Sequence, residues 1–174
     1  MSGEPATAMT QGGGAEGERR IWELLAAVPD PEIPVLSIVD LGIVRYVRAE
    51  QGQLRVGLTP TYSGCPATEA IRALVRASLD AHGHRDARLE EVLAPPWTSA
   101  WLSEAGRAKL EAFGIAPPQE PVDSPRRLFP GQAVRCPRCG STATERVSEF
   151  GSTPCKAHYR CSACAEPFDY FKPH

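Results

Sequence analysis

The alternation of apolar and polar residues predicts a small α+β unit in the first two-thirds of the chain. Apolar residues recur at helical spacing in three segments and with a period of two in three others. Because a strand–helix–strand crossover places its strands parallel, the pattern predicts helices packed against a three-stranded mixed sheet. The predicted elements are helices at 19–28, 66–81 and 103–113 and strands at 43–49, 54–59 and 87–93, the first two strands forming a hairpin around Gln51-Gly52.

The segment Thr-Pro-Thr-Tyr-Ser-Gly-Cys-Pro-Ala at 59–67 joins the second predicted strand to the second predicted helix. Proline is favoured at the first position of a helix, so we expect Pro66 to begin the helix and Cys65 to be its N-cap. A cysteine at the positive end of a helix dipole forms a thiolate more readily and can then act as a nucleophile or metal ligand. We therefore interpret Cys65 as a candidate reactive thiol, the alternative being a small buried apolar side chain.

Three acidic residues, Asp30, Glu32 and Asp40, lie in a segment whose prolines prevent a regular helix and whose apolar residues are unsuited to a free loop. We expect the segment at 30–44 to be held against the core. The three carboxylates are candidates to bind a metal or to support the chemistry of Cys65. Acidic residues in such segments more often cap helices and hold turns, so both interpretations stay open.

The composition narrows the class of protein. The net charge of −2 over 174 residues gives no basis for nucleic-acid binding. No apolar run reaches membrane-spanning length, and the beginning of the chain lacks the pattern of a signal peptide. We therefore expect a cytoplasmic protein without a membrane partner. Thiols stay reduced in that compartment, so the six cysteines indicate metal or redox chemistry rather than disulfides.

Composition also divides the chain into four regions. Residues 1–17 are of low complexity and are predicted to be disordered. The α+β domain is expected to span 18–114. Five prolines between 115 and 131 indicate an extended linker, and a separate metal module is expected at 132–174.

The C-terminal module contains two C-x2-C pairs separated by twenty-one residues. Four thiolates at about this spacing are typical of a zinc ribbon, and the spacing does not distinguish zinc from iron. A module of about forty residues is too small to fold on its own core, so the metal is expected to supply folding energy. The predicted ligands are Cys136, Cys139, Cys161 and Cys164.

A further cysteine, Cys155, lies between the two pairs, with His158 three residues after it. Cys155 is a candidate fifth thiol for transient binding of a metal or iron–sulfur cluster, or an alternative ribbon ligand. It can equally be a hairpin residue without a chemical role. The residue pattern by itself leaves these alternatives open.

Three motifs in the first domain resemble the SufT-like family of iron–sulfur assembly factors. They are Asp30-Pro-Glu-Ile-Pro, Asp40-Leu-Gly-Ile-Val and Thr59-Pro-Thr-Tyr-Ser-Gly-Cys-Pro, in the order of that family. The resemblance covers about residues 19–94. It implies that Cys65 matches the reactive cysteine of the family and that the protein assembles or delivers clusters.

The C-terminal region is similar to the PaaD family, also called PaaJ, which is encoded with the phenylacetyl-CoA epoxidase of aerobic bacteria. The similarity is carried by Cys136-Pro-Arg-Cys-Gly, Phe150-Gly-Ser-Thr-Pro-Cys-Lys-Ala and Glu166-Pro-Phe-Asp-Tyr-Phe-Lys. Together with Pro95-Pro-Trp-Thr it covers roughly residues 19–174. The resemblance implies an accessory protein of phenylacetate degradation, not the di-iron catalytic subunit, and it places Cys155 in a shared motif.

Three functions are consistent with these features. The favoured one is an iron–sulfur maturation factor for the iron–sulfur flavin reductase of the epoxidase, with Cys65 as the transfer thiol and the ribbon as a docking module. The second is a structural subunit of the epoxidase without chemistry of its own. The third is a thiol enzyme, which lacks an obvious base because His82 and His84 lie at the far end of the predicted helix from Cys65. The sequence is consistent with a monomer and with a homodimer, and it does not decide between them.

Overall fold

Two β-sheets organise the part of the chain that the computed structural model describes, residues 15–62, 64–119 and 134–173. The first sheet has the order β1-β2-β3, and the second has the order β4-β7-β6-β5. Three helices and a single 3-10 turn at Ser99–Trp101 accompany them in this part of the chain. The bounds are α1 Ala15–Ala26, β1 Val44–Glu50, β2 Gln53–Leu58, α2 Thr68–Ala81, β3 Arg88–Glu91, α3 Glu104–Phe113, β4 Ile115–Ala116, β5 Thr144–Ser148, β6 Lys156–Cys161 and β7 Pro167–Phe171.

The first sheet confirms the predicted α+β topology. Strands β1 and β2 pair antiparallel, and β3 pairs parallel to β2 through the α2 crossover. The hairpin turn is at Gln51 and Gly52, whose φ angles of 52° and 78° are both positive. Two positive φ angles in a two-residue loop match the right-handed twist of the flanking strands, which explains the predicted position of the turn.

Helix α1 begins earlier than predicted. Residues 15–17, which we expected to be disordered, form its first turn. Acidic side chains stabilise the start of a helix, and Glu16 also pairs with Arg19 at 2.5 Å. The prediction of disorder for residues 1–14 lies outside the described residues. The apolar face is as predicted, with Ile21 and Leu25 buried.

The segment between α1 and β1 is irregular but largely buried, as predicted. The apolar residues Ile33, Leu36 and Ile38 are at most 2% exposed. A bridge between Pro29 and Ser37 closes the segment on itself. The backbone of this segment therefore packs against the core and does not form a surface loop.

Strand β4 changes the predicted organisation after α3. The left-handed conformation of Gly114, with a φ of 88°, ends α3 and redirects the chain. Ile115 and Ala116, assigned to the linker by composition, then pair in parallel with β7 of the C-terminal sheet. Both are buried, so their apolar side chains explain the pairing. Residues 120–131 of the predicted linker lie outside the described residues.

The C-terminal sheet packs against the first domain. Phe171 of β7 is 1% exposed and belongs to the same apolar core as α1 and α2. Its ring lies 6.3 Å from that of Trp97, which in turn donates a hydrogen bond from Nε1 to the Leu41 carbonyl at 2.8 Å. Cys155 is buried in this core as well. The two domains therefore share a core.

Candidate functional site

The four ribbon cysteines converge at the end of the C-terminal sheet. Their Sγ atoms all lie within 4.8 Å of one another. The Cys136–Cys164 and Cys139–Cys161 sulfur distances are 3.8 and 3.6 Å. Two of the cysteines, Cys136 and Cys161, are fully buried, and the other two are exposed.

Each C-x2-C pair is held by a tight turn. In the first turn Gly140, with a φ of 74°, donates its N–H to the Cys136 carbonyl at 2.9 Å. In the second, the Cys161 N–H donates to the Glu166 carbonyl at 2.9 Å, and Ala165 has a φ of 62°. These turns aim both thiols of a pair toward the same point.

The thiol set fits a tetrahedral metal ion in spacing and in charge. Zinc–sulfur bonds of about 2.3 Å require sulfur atoms about 3.8 Å apart, close to the two distances observed. The backbone N–H of Cys164, followed by that of Ala163, stabilises the Cys161 thiolate and lowers its pKa to about 7. The Glu166 N–H also favours the Cys164 thiolate, but desolvation and the three neighbouring thiols outweigh it and raise the pKa of Cys164 to about 12. Four thiolates at this separation therefore require a cation.

A second group of side chains meets in a cleft, partly open to solvent, between the two domains. Its lining contains Cys65 from the first domain and Cys155 from the ribbon. Acidic and hydroxyl side chains and an apolar wall complete it, including Asp30, Glu32, Thr61, Ile33, Leu58 and Phe171. Two of the sequence-predicted thiols are thus brought to one place by the fold.

Cys65 lies in a turn before α2, and the predicted N-cap position is wrong. The helix begins at Thr68 with Ala67 as its N-cap residue. The Cys65 N–H donates to the Tyr62 carbonyl at 3.2 Å, and the Cys65 carbonyl accepts from the Thr68 N–H at 3.2 Å. Pro66 has no N–H to donate, so this tight turn precedes the first α-helical hydrogen bond, which Ala67 accepts.

The surroundings of the Cys65 thiol are polar on one side. Its side chain is half-buried, and the Thr61 hydroxyl lies 3.9 Å from its sulfur. Burial, together with the neighbouring Cys65, Glu32 and Cys155, raises the pKa of Tyr62 to about 12. Tyr62 therefore stays neutral beside the thiol.

Cys155 is held at the same cleft from the ribbon side. It is 5% exposed and lies 3.0 Å from the Thr153 hydroxyl. Its thiol donates a long hydrogen bond of 3.9 Å to Oε2 of Glu32. Burial raises the pKa of Cys155 and outweighs the lowering by Thr153, and Glu32 raises the pKa further. Cys155 does not belong to the four-thiol group, and His158 instead faces Asp169 at 3.3 Å.

The acidic residues of the irregular segment have different positions. Burial raises the pKa of Glu32, and Asp30 beside it adds to the effect. Burial raises the pKa of Asp30 too, although its carboxylate accepts hydrogen bonds from the N–H groups of Glu32 and Ile33. Lys156 is 5% exposed, and its positive charge acts to lower the pKa of both Asp30 and Glu32. It also pairs with Asp169 at 3.3 Å.

Asp40 is not among the residues that line the cleft. Its carboxylate accepts from the Ser37 N–H and hydroxyl at 3.0 and 2.9 Å, from Ser103 Oγ at 3.1 Å and from Lys109 Nζ at 2.6 Å. The geometry therefore gives Asp40 a structural role in joining segments. The fold does not bring Asp40 to Cys65, contrary to one of the two expectations from the sequence.

Sequence reasoning missed Thr61, Tyr62, Thr153 and Lys156 as parts of the cleft or its immediate surroundings. The only signal was proximity, because each lies within four positions of Cys65 or Cys155. Threonine and lysine occur so widely that this signal does not select them. In the part of the chain that is described, no helix is long and apolar enough to cross a membrane.

Comparison with known proteins separates the same two regions. The family described as "Iron-sulfur cluster assembly protein" matches residues 18–88, and the family described as "PaaD zinc beta ribbon domain" matches residues 120–172. A protein of Escherichia coli (strain K12), named as a subunit of the "Putative 1,2-phenylacetyl-CoA epoxidase", is 49% identical over 152 residues. That alignment covers 87% of this chain and 90% of the relative.

Two further relatives match the first domain. The "Fe-S protein maturation auxiliary factor" of Porphyromonas gingivalis is 32% identical over 95 residues, covering 53% of this chain and 90% of that protein. A domain of unknown function from Bacillus anthracis, known as a crystal structure, is 29% identical with a TM-score of 0.49. The match covers 53% of this chain and 90% of the Bacillus anthracis chain. The identity and coverage of the Escherichia coli relative, with both domain matches in order, show that the chain belongs to the PaaD family of phenylacetyl-CoA epoxidase proteins.

Proposed function

We propose that the protein matures an iron–sulfur component of the phenylacetyl-CoA epoxidase, with the iron–sulfur flavin reductase as its client. The accessory role in this pathway follows from the family, and delivery of a cluster is the proposal. In this role Cys65 is the thiol that accepts the cargo and passes it on. The observation that carries it is the position of Cys65 in a partly open cleft beside a second thiol and a carboxylate.

The four ribbon cysteines have a separate role in the proposal. All four positions of a tetrahedral ion would be taken by protein thiols, which is typical of structural zinc sites and leaves no position open for a substrate. Zinc is accordingly the proposed ion, with iron as the alternative that metal analysis would distinguish. The ion holds the two turns and the end of β6 in place.

The second candidate is a structural subunit of the epoxidase. The name of the Escherichia coli relative, which calls that protein a subunit, favours this function. A thiol enzyme ranks third because the described residues that line the cleft provide carboxylates and no histidine to act as a base for Cys65. The protein is proposed to be non-enzymatic and to act in the cytoplasm.

The deciding experiment co-expresses the epoxidase genes with and without this protein. The iron and sulfide contents of the purified reductase are then measured, together with its electron-transfer activity. The maturation role predicts a reductase deficient in iron and sulfide when the protein is absent. A fully loaded reductase beside an epoxidase that fails to assemble would support the structural role instead. Recovery of the protein in fixed stoichiometry with the active oxygenase would also contradict transient delivery.

A further inference from the structure

We infer that Cys155 of the ribbon is the second ligand for the cargo bound at Cys65, so that the acceptor site is complete only when both domains are in contact. This inference rests on the proposed function and deepens it. The ribbon is then part of the acceptor site and more than a docking module. The cargo is an iron–sulfur cluster with more than one metal atom, bridged between the two thiols.

Both thiols face the same cleft although they are ninety positions apart in the chain. Tyr62 and Cys65 both pack against the apolar core that contains Cys155. Neither cysteine belongs to the ribbon metal group. The fold therefore holds two free thiols from different domains in a single shared cavity.

The ligand set of the cleft favours a cluster over a single ion. One tetrahedral ion requires sulfur ligands about 3.8 Å apart. Among the described residues, only the four ribbon cysteines form a group whose ligand atoms lie within 4.8 Å of one another. Cys65, Cys155 and Glu32 do not form such a group, although Glu32 is 3.9 Å from the Cys155 sulfur. Two thiols that do not converge with a third ligand on one point are suited to bind different metal atoms of the same cluster.

The cleft also has the surroundings that thiolate–iron bonds require. Its wall is largely apolar, with Ile33, Leu58 and Phe171 among the lining residues, and this limits access of water to a bound cluster. Two polar groups orient the Cys155 thiol, namely the Thr153 hydroxyl and the Glu32 carboxylate. The partly open side of the cleft gives a path for transfer.

The transfer step is a ligand exchange without electron transfer. Cys65 and Cys155 each form a sulfur–iron bond and displace one thiolate that held the cluster on its donor. The proton of each cysteine passes to the thiolate that leaves, and the oxidation state of the iron is unchanged. Delivery to a client is the reverse exchange with the client's cysteines.

The test uses the full chain, purified without oxygen with its ribbon metal bound, and a synthetic iron–sulfur cluster held by small thiolates. After removal of unbound cluster, iron and sulfide per chain are measured for the wild type and for Cys65→Ser, Cys155→Ser and Thr142→Ala. The last is a control that changes an exposed ribbon side chain outside both cysteine pairs. The wild type and the control are expected to retain iron and sulfide in equal amounts above one iron per chain, and both cysteine variants to lose them.

Retention by Cys155→Ser at the wild-type level would overturn the inference, as would a wild type that retains no cluster or retains iron without sulfide. Ribbon metal content and far-UV circular dichroism establish that each variant is folded. A second measurement needs no variant: Cys65 and Cys155 should both react more slowly with iodoacetamide in the loaded than in the unloaded wild type, as read by mass spectrometry. Free labelling of Cys155 would contradict the inference even if the reductase experiment supported the maturation role of Cys65.

Discussion

The Asp40 carboxylate joins the segment before β1 to helix α3. It accepts hydrogen bonds from Ser37, Ser103 and Lys109, and its residue is only 8% exposed. We expect Asp40→Asn to reduce the free energy of unfolding by about 2 kcal/mol, because hydrogen bonds to a charged acceptor are lost. Asp80→Asn is the matched control, since its ion pair with Arg76 is partly exposed and should change stability by less than about 1 kcal/mol. Urea unfolding at neutral pH measures both, and equal effects would contradict the structural role of Asp40.

The same residue predicts a pH dependence. Burial raises the pKa of Asp40, but Lys109, Ser37 and Ser103 outweigh it, so the folded-state pKa lies below the ordinary value of 3.8. A lowered carboxyl pKa contributes stability above that ordinary value, and the contribution is lost as the pH falls toward the folded-state pKa. The stability difference between wild type and Asp40→Asn should therefore shrink when unfolding is repeated below about pH 3.8. A difference that stays constant with pH would show that the charge of Asp40 is not involved.

At the level of single residues, the sequence identified the candidate side chains more reliably than it identified their contacts. Cys65, Cys155 and Glu32 were candidates from the sequence and all line the cleft. Asp40 was a candidate too, yet its partners Ser103 and Lys109 lie more than sixty positions away in the chain. The residues around a carboxylate in the sequence do not show which distant donor it will bind. The sequence therefore could not distinguish a ligand role from a structural role for Asp40.

Strand β6 connects the metal site to the cleft. It begins at Lys156, directly after Cys155, and ends at the ribbon cysteine Cys161. We expect removal of the ribbon metal by chelation, or by Cys139→Ser, to loosen β6 and to increase the rate at which Cys155 reacts with iodoacetamide. The reason is that a metal supplies about 10 kcal/mol or more to the folding of such small modules.

Cysteine labelling followed by mass spectrometry checks this coupling. The Cys65 rate serves as the internal comparison, because the turn that holds Cys65 belongs to the first domain. If Cys155 stays as protected after metal removal as before, β6 is held by its sheet neighbours and the coupling is wrong. Restoration of zinc to the chelated wild type should restore the protection.

The periodicity of apolar residues predicted most of the helices and strands, but it did not predict the residues at which they begin and end. The three helices, the hairpin and the parallel β3 were predicted because apolar residues mark the buried faces. The start of α2 was misplaced because Pro66 fits both a first helical turn and the tight turn observed. Strand β4 was missed because two apolar residues carry no periodic signal, and only its pairing with β7 defines it.

Phe171 is a central apolar contact between the two domains of the molecule. Because its ring is 1% exposed and packs near Trp97, Phe171→Ala should destabilise the protein by about 3–5 kcal/mol. Hydrogen exchange should rise in the ribbon and in the segment around Trp97. Phe113→Ala is the matched control, since Phe113 is 62% exposed and should have little effect. Equal losses of stability in the two variants would show that the domains do not depend on this contact.

The contact between domains could not be predicted from the sequence. Each domain was recognised by its own motifs, and the proline-rich segment between them suggested independent modules. The Cys155–Glu32 contact spans 123 positions, and no local pattern specifies such a pairing. The result matters for function, because the ribbon completes the lining of the cleft at Cys65.

The most direct test of the maturation role replaces Cys65 by alanine in cells that express the epoxidase genes. The reductase is purified, and its iron and sulfide are compared with those from cells carrying the wild-type protein or Thr142→Ala, a control in the ribbon. Cys65 is half-buried in a turn, so the variant should fold and keep its ribbon metal, which circular dichroism and metal analysis check. The account predicts a reductase deficient in iron and sulfide with Cys65→Ala alone. A fully loaded reductase from those cells would contradict it.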